Sequence, residues 1–191
     1  MPHDGSRPDS RPDSTSAAPL RLFFALWPDA RTRAQLQACA RILRECHGGR
    51  AVAPDNLHLT LAFLGEQPRQ RLDELLQVAA RLQGRSFVLC LNQAGYWEHP
   101  RVLWCAPDRT PPALVELNSG LTDALCARGF QLESRPYAPH VTLVRNVRAA
   151  SGVRMPATLF WQPGDFSLVV SERCAEGVHY RRLAHWPLRA H

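Results

Sequence analysis

Asn56-Leu57-His58-Leu59-Thr60-Leu61-Ala62-Phe63-Leu64-Gly65-Glu66 is the stretch on which the reading of this chain turns, because its central motif returns once, in Tyr137-Ala138-Pro139-His140-Val141-Thr142-Leu143-Val144-Arg145. Each copy sets a His and a Thr two positions apart, with one apolar residue between them and a Leu after. In an extended strand residues i and i+2 point to one face. Each copy therefore presents an imidazole beside a hydroxyl and turns Leu59, Leu61, Val141 and Leu143 toward a core. With 8 His and 7 Thr in 191 residues, chance supplies about 0.3 such pairs, and two copies inside apolar runs exceed that. Two such strands facing each other bring two imidazoles and two hydroxyls around one cleft. That set suits an oxyanion: hydroxyls to donate to phosphoryl oxygens, one imidazole as base and one as acid.

Outside the motifs the chain reads as an alternation of strands and helices. Residues 21–27 form a buried strand, and 29–47 carry Ala30, Ala34, Leu36, Ala40 and Leu43 at helical spacing before Gly48-Gly49. The first motif strand spans 57–64. A second helix is expected over 68–83, strands over 86–96 and 101–106 around a turn at Glu98-His99-Pro100, and a helix from Pro111-Pro112 to about Arg128. The second motif strand spans 139–146, residues 149–163 read as irregular, and 165–174 with 178–187 form a hairpin across Glu176-Gly177. Residues 1–19, with a tandem Arg-Pro-Asp-Ser, bury no apolar area and are expected to be a disordered tail ahead of a single domain over 20–191.

Composition narrows the chemistry. All 23 basic residues are Arg. The absence of Lys excludes nucleotidyl-lysine ligation, Schiff bases and the P-loop lysine. The net charge of +6 favours a polyanionic partner. Mean hydropathy is −0.26, no apolar run is long enough to cross a bilayer, and the N-terminus has no signal-peptide core, so a cytoplasmic protein without membrane contact is expected. The six cysteines form no Cys-x-x-Cys pair and are read as buried free thiols, with no zinc site.

The two motif segments closely resemble the signature strands of the two-histidine (2H) phosphoesterase superfamily, and within it the RNA 2′,3′-cyclic phosphodiesterases, also called 2′-5′ RNA ligases. Leu20-Arg21-Leu22-Phe23-Phe24-Ala25-Leu26 is similar to that family's first strand, and Leu103-Trp104 and Gly177-Val178-His179-Tyr180 also fit. The resemblance covers about residues 20–188. It implies an α+β fold, bilobal and duplicated, with two antiparallel sheets flanking a central cleft and helices outside. It also implies hydrolysis of RNA or oligonucleotide 2′,3′-cyclic phosphate ends to 2′-phosphates, without metal or cofactor, by a monomer. Carried over, His58 is the proton donor to the leaving O3′, His140 the proton acceptor from water, and Thr60 and Thr142 bind the non-bridging oxygens. The residues alone do not order the two histidines.

Arg145 matches an Arg often found after the second motif and is a candidate phosphate ligand. Strict alternation puts it on the face opposite His140, so reaching the site requires a bulge or the strand's end. Tyr137, Trp27 and Trp97 are candidates to stack a base, with core packing as the alternative, and Arg21 is a candidate to line the cleft. His47, His99, His179 and His185 read as surface or loop residues, and Asp55 and Glu66 as loop caps. Two other functions stay open: a related enzyme acting on small cyclic phosphates such as those of nucleosides or ADP-ribose, and a non-catalytic RNA-binding protein of the same fold.

Overall fold

The computed structural model describes residues 18–174 and 177–190. Apart from residues 18 and 19, the expected tail lies outside them, as does Glu176 at the hairpin tip. Strand β1 (Leu20–Leu26) is followed by helix α1 (Ala30–His47). Asp29 caps that helix, its carboxylate accepting from the Thr32 N–H at 2.8 Å. The buried Leu36, Cys39, Ala40 and Leu43 form one helical stripe. A two-residue strand β2 (Arg50–Ala51) and a 3₁₀ turn (Pro54–Asn56) lead into β3 (Leu59–Gln67).

Helix α2 spans Leu72–Ala80, shorter at both ends than the sequence suggests. Before it, Arg71 N–H bonds the Pro68 carbonyl; after it, Leu82 N–H bonds the Ala79 carbonyl, and both are tight three-residue closures. Strands β4 (Leu89–Trp97) and β5 (Val102–Pro107), helix α3 (Pro112–Cys126) and strand β6 (Val141–Arg145) follow. The stretch read as irregular contains a short strand, β7 (Leu159–Trp161), whose Trp161 is fully buried. Three residues are too few for a period-2 pattern to register. The chain closes with the hairpin β8 (Asp165–Cys174) and β9 (Gly177–Pro187).

The strands lie in the order β7-β4-β5-β6-β3-β1-β8-β9, with β2 added beside β6. Every pairing between these strands is antiparallel. The fold is α+β and built from two like halves, since β5-α3-β6 repeats the order β1-α1-β3. The two sheets are edge-joined: β3 and β6 meet through the single pair Leu59↔Val141, both fully buried. The helices cross this waist. Helix α1, leaving β1, packs on β2, β6 and β7; helix α3, leaving β5, packs on β3 and α2. One core fills the helix side of both halves. The opposite face holds a small cluster of Phe23, Ala25 and Val169 under Trp27 and Tyr180.

Both motif strands break their alternation at the same place. In β3 the register with β1 slips between Ala25↔Thr60 and Phe24↔Ala62, and in β6 the register with β5 slips between Trp104↔Thr142 and Leu103↔Val144. Leu61 and Leu143 are thus bulge residues, and each bulge leaves a carbonyl to be satisfied from outside the ladder. Asn118 of α3 donates its side-chain amide to Leu61 O at 2.8 Å, and Val52 N–H donates to Leu143 O at 2.9 Å.

The cysteines depart from expectation. Only Cys39 and Cys105 are buried; Cys90 is half-buried and Cys46, Cys126 and Cys174 are exposed. Cys46 and Cys126 sit in last turns of helices on their outward side, and Cys174 ends a strand, so apolar sequence neighbours do not cover them. Among the described residues no helix is long and apolar enough to cross a membrane. Replacing Asn118 by Ala orphans the carbonyl of the buried Leu61. It is expected to lower unfolding free energy by about 1–3 kcal/mol, read as a lower urea midpoint with unchanged slope.

Candidate active site

Extending the register from Leu59↔Val141 by one residue each way sets His58 against Thr142 and Thr60 against His140. Directly opposed residues share a face, so all four polar groups lie together on the face turned away from the core. The sequence reading puts both histidines inside strands (57–64 and 139–146), but the strands begin one residue after each histidine, at Leu59 and Val141. Free of the ladder, each imidazole folds back on its own segment. His58 Nδ1 lies 2.7 Å from the Asn56 carbonyl oxygen and His140 Nδ1 lies 2.8 Å from that of Ala138. A carbonyl only accepts, so the neutral ring carries its proton on Nδ1 in both cases. Each Nε2 is left for chemistry, and the two sites repeat each other. Among the described residues neither Thr hydroxyl has a side-chain or backbone partner, so both can donate to a ligand.

Aromatic rings wall in both imidazoles. Trp27 stacks on His58 (centroids 5.3 Å, planes at 11°), with Phe23 at 5.0 Å and Tyr180 edge-on at 5.1 Å. Trp97 meets His140 edge-on at 4.5 Å and leans on Trp104. Trp27 and Trp97, candidate base platforms from sequence, therefore spend ring surface on the histidines themselves. Tyr137 donates its hydroxyl to Thr60 O at 3.4 Å, tying the second motif's approach to the first motif's strand. Its ring, with Trp97, Trp104, Thr110, Pro139 and His140, lines a cleft of about 270 Å³.

Burial has an electrostatic consequence. It pushes His58 down to about 4, against the opposing pull of the Asn56 carbonyl, with the Arg145 and His140 charges adding to the depression. Burial also lowers His140, again partly offset by its carbonyl partner and reinforced by Arg145. Both rings are thus neutral at neutral pH, and an anion among them would raise both. Burial likewise holds the Tyr137 phenol protonated, above its usual range.

Arg145 reaches this face because of the Leu143 bulge, which puts residues 142 and 145 on one side. The equivalent residue of the first motif is Phe63, also three after its Thr. It is partly exposed, with the Arg21 guanidinium 4.8 Å above its ring, which places Arg21 on the cleft side. Sequence reasoning missed Phe63, Phe23 and Tyr180. Nothing short of cross-strand pairing puts Tyr180 on His58, whereas Phe63 could have been found by laying one motif on the other. Asp55, read as a loop cap, pairs with Arg33 of α1 at 3.1 Å. Asn56 donates to Val178 O at 2.8 Å, fastening the β8–β9 hairpin to the segment that holds His58. His99, His179 and His185 are exposed and His47 is half-buried at the end of α1. Among the described residues no three His, Cys, Asp or Glu side chains converge to hold a metal ion.

A waisted antiparallel sheet with a twofold-repeated pair of imidazoles and hydroxyls on its open face defines a two-histidine phosphoesterase. The model of the LigT-like phosphoesterases matches residues 26–104. The RNA 2′,3′-cyclic phosphodiesterase of Escherichia coli K12 is 35% identical over 173 residues, 89% of this chain and 97% of that one. The enzyme of the same name from Thermus thermophilus is 33% identical over 183 residues, 89% of this chain and 91% of that one. The crystal structure of E. coli LigT with 3′-AMP superposes with a TM-score of 0.80 at 34% identity, covering 89% of this chain and 98% of the other. The chain belongs to the LigT-like family of 2H phosphoesterases.

The depressed histidines make stability depend on pH. The unfolded chain takes up protons near pH 6.5 and the folded site near pH 4 for His58. The stability is present in full above about pH 6.5 and is lost as pH falls toward 4. Thermal unfolding followed by circular dichroism is expected to drop across this window, and His58→Gln to lessen the drop. An equal drop in the variant would remove His58 as its source.

Proposed function

We propose that the protein hydrolyses RNA or oligonucleotide 2′,3′-cyclic phosphate ends to 2′-phosphates by acid–base catalysis between His58 and His140. The observation that carries this is the matched tautomer: two imidazoles, each with Nδ1–H given to the carbonyl two residues before it, leave two Nε2 atoms on one open face. The relatives' names give the substrate class. A strained cyclic diester with one negative charge needs water activated on one side of phosphorus and a proton for the ribose oxygen leaving on the other.

In this reading His140 Nε2 takes the proton from water, and His58 Nε2 delivers one to O3′. Thr60 and Thr142 donate to the two non-bridging oxygens, where charge grows in the transition state. Arg145 holds the phosphate's charge, and Tyr137 walls the cleft on the His140 side. His58, held near 4 by its surroundings, takes up a proton at neutral pH when an anion arrives, so substrate and proton bind together. A 5′-hydroxyl in place of water would make a 2′-5′ bond with the same two histidines. Its energy would come from the cyclic ester, since the chain has no lysine to carry a nucleotidyl group. No membrane contact and no second copy enter this scheme, and the cytoplasm supplies its substrate.

The test is a product-resolved assay on RNA ending in 2′,3′-cyclic phosphate, with ATP absent and a chelator present. A 2′-phosphate product is expected, identified by resistance to a 3′-specific phosphatase. Loss of turnover under chelation, restored by added metal, would sink the mechanism. His58→Ala and His140→Ala are each expected to slow turnover by about 10²–10⁴, with product binding better preserved. Because both free-enzyme histidines lie below their usual value, kcat/KM should be bell-shaped with its maximum below pH 6.5, and kcat, reporting the complex, should peak at higher pH.

A further inference from the structure

Helix α1 ends at His47, and the chain reverses at once through Gly48 (φ 73°) and Gly49 (φ 88°). These are left-handed conformations that favour glycine. Gly49 also needs its bare Cα for space: a Cβ there would lie 2.7 Å from the Arg145 carbonyl oxygen and 2.9 Å from the Val147 side chain. The turn exists to press β2 onto the last two residues of β6, pairing Arg50 with Arg145 and Ala51 with Val144.

That pairing is unfavourable in isolation. Directly opposed residues of antiparallel strands share a face, and like charges there repel. Both arginines are exposed. Among the described residues neither has a carboxylate partner, whereas Arg33, Arg71, Arg85, Arg128, Arg135, Arg181 and Arg182 each reach one. Two arginines without a carboxylate partner among the described residues thus stand opposite each other in register on the cleft face. The nearer, Arg145, has a charge felt by both catalytic histidines, and Arg50 stands one strand beyond it.

We propose that Arg50, held beside Arg145 by the Gly48–Gly49 turn, binds the phosphodiester adjoining the reacting one, so that the site selects a polynucleotide end over a free cyclic nucleotide. This rests on the function proposed above. In a 2′,3′-cyclic end both secondary oxygens of the last ribose are tied to the reacting phosphorus, so the chain leaves only through the 5′ oxygen. The next negative charge is that 5′ phosphodiester. A guanidinium fork matches its two free oxygens, and its arrival relieves the Arg50–Arg145 repulsion.

The experiment compares kcat/KM on adenosine 2′,3′-cyclic phosphate and on the dinucleotide ApA ending in 2′,3′-cyclic phosphate, for wild type, Arg50→Gln and Arg50→Lys, with thermal melting as the folding control. The wild type should prefer the dinucleotide at least tenfold. Arg50→Gln should lose most of that preference through KM on the dinucleotide, and Arg50→Lys should keep the larger part. The slope of log kcat/KM against log salt for the dinucleotide should shrink by about 0.7 in Arg50→Gln, the loss of one single-strand phosphate contact. An unchanged preference in Arg50→Gln, an equal fall on both substrates, or no preference in the wild type overturns the assignment. No turnover of either ester by the wild type overturns the proposed function and this inference with it.

Discussion

One backbone pair, Leu59↔Val141, organises the molecule. It is the only ladder contact between the two half-sheets among the described residues, and its two side chains are sealed in the core. Antiparallel pairing at that point fixes what lies on either side of it. The histidine before each apolar residue and the threonine after it are brought against their counterparts from the other half. A slip of one residue in either strand would turn that strand's imidazole and hydroxyl into the core and its apolar residue into the cleft. Burial of Leu59 and Val141 is thus what holds the register of the site. The waist does not stand on that pair alone, because α1 and α3 each leave one half and pack on the other.

The same arrangement decides the charge state of the imidazoles. Each ring is anchored by a carbonyl, which favours the imidazolium, and enclosed by aromatic surface, which disfavours it; burial is the larger effect in both. At neutral pH the site therefore holds two neutral imidazoles near Arg145, which has no carboxylate partner among the described residues. Under the function proposed above, an arriving phosphate would supply the negative charge that the enclosure withholds, and protonation would follow binding. The cost is borne in the resting protein by packing that also serves as core: Phe23 and Tyr180 belong to the small cluster on the open face.

Local irregularities do the aiming. The bulges at Leu61 and Leu143 reset the alternation so that Thr60 with Phe63, and Thr142 with Arg145, share the cleft face. The Gly48–Gly49 reversal lays Arg50 alongside. Each departure from a regular ladder leaves a group to satisfy, and Asn118 and Val52 do so from neighbouring elements.

The α+β class was what the family resemblance implied, while the sequence by itself determined most of the strand and helix order and the four residues His58, Thr60, His140 and Thr142 as a set. These follow from period-2 and helical spacing, which are properties of neighbours along the chain. Tertiary structure alone decided that the two sheets join, that Arg145 crosses to the histidine face, that Tyr180 and Phe23 enclose His58, that three of the cysteines are exposed, and that β7 exists. Each of these depends on which residue faces which across strands far apart in the chain. A bulge has no signature in one strand alone, because it is a mismatch in count between two. The burial that lowers the histidines is likewise set by rings contributed from β1, β4 and β9, whose positions only the completed sheet defines.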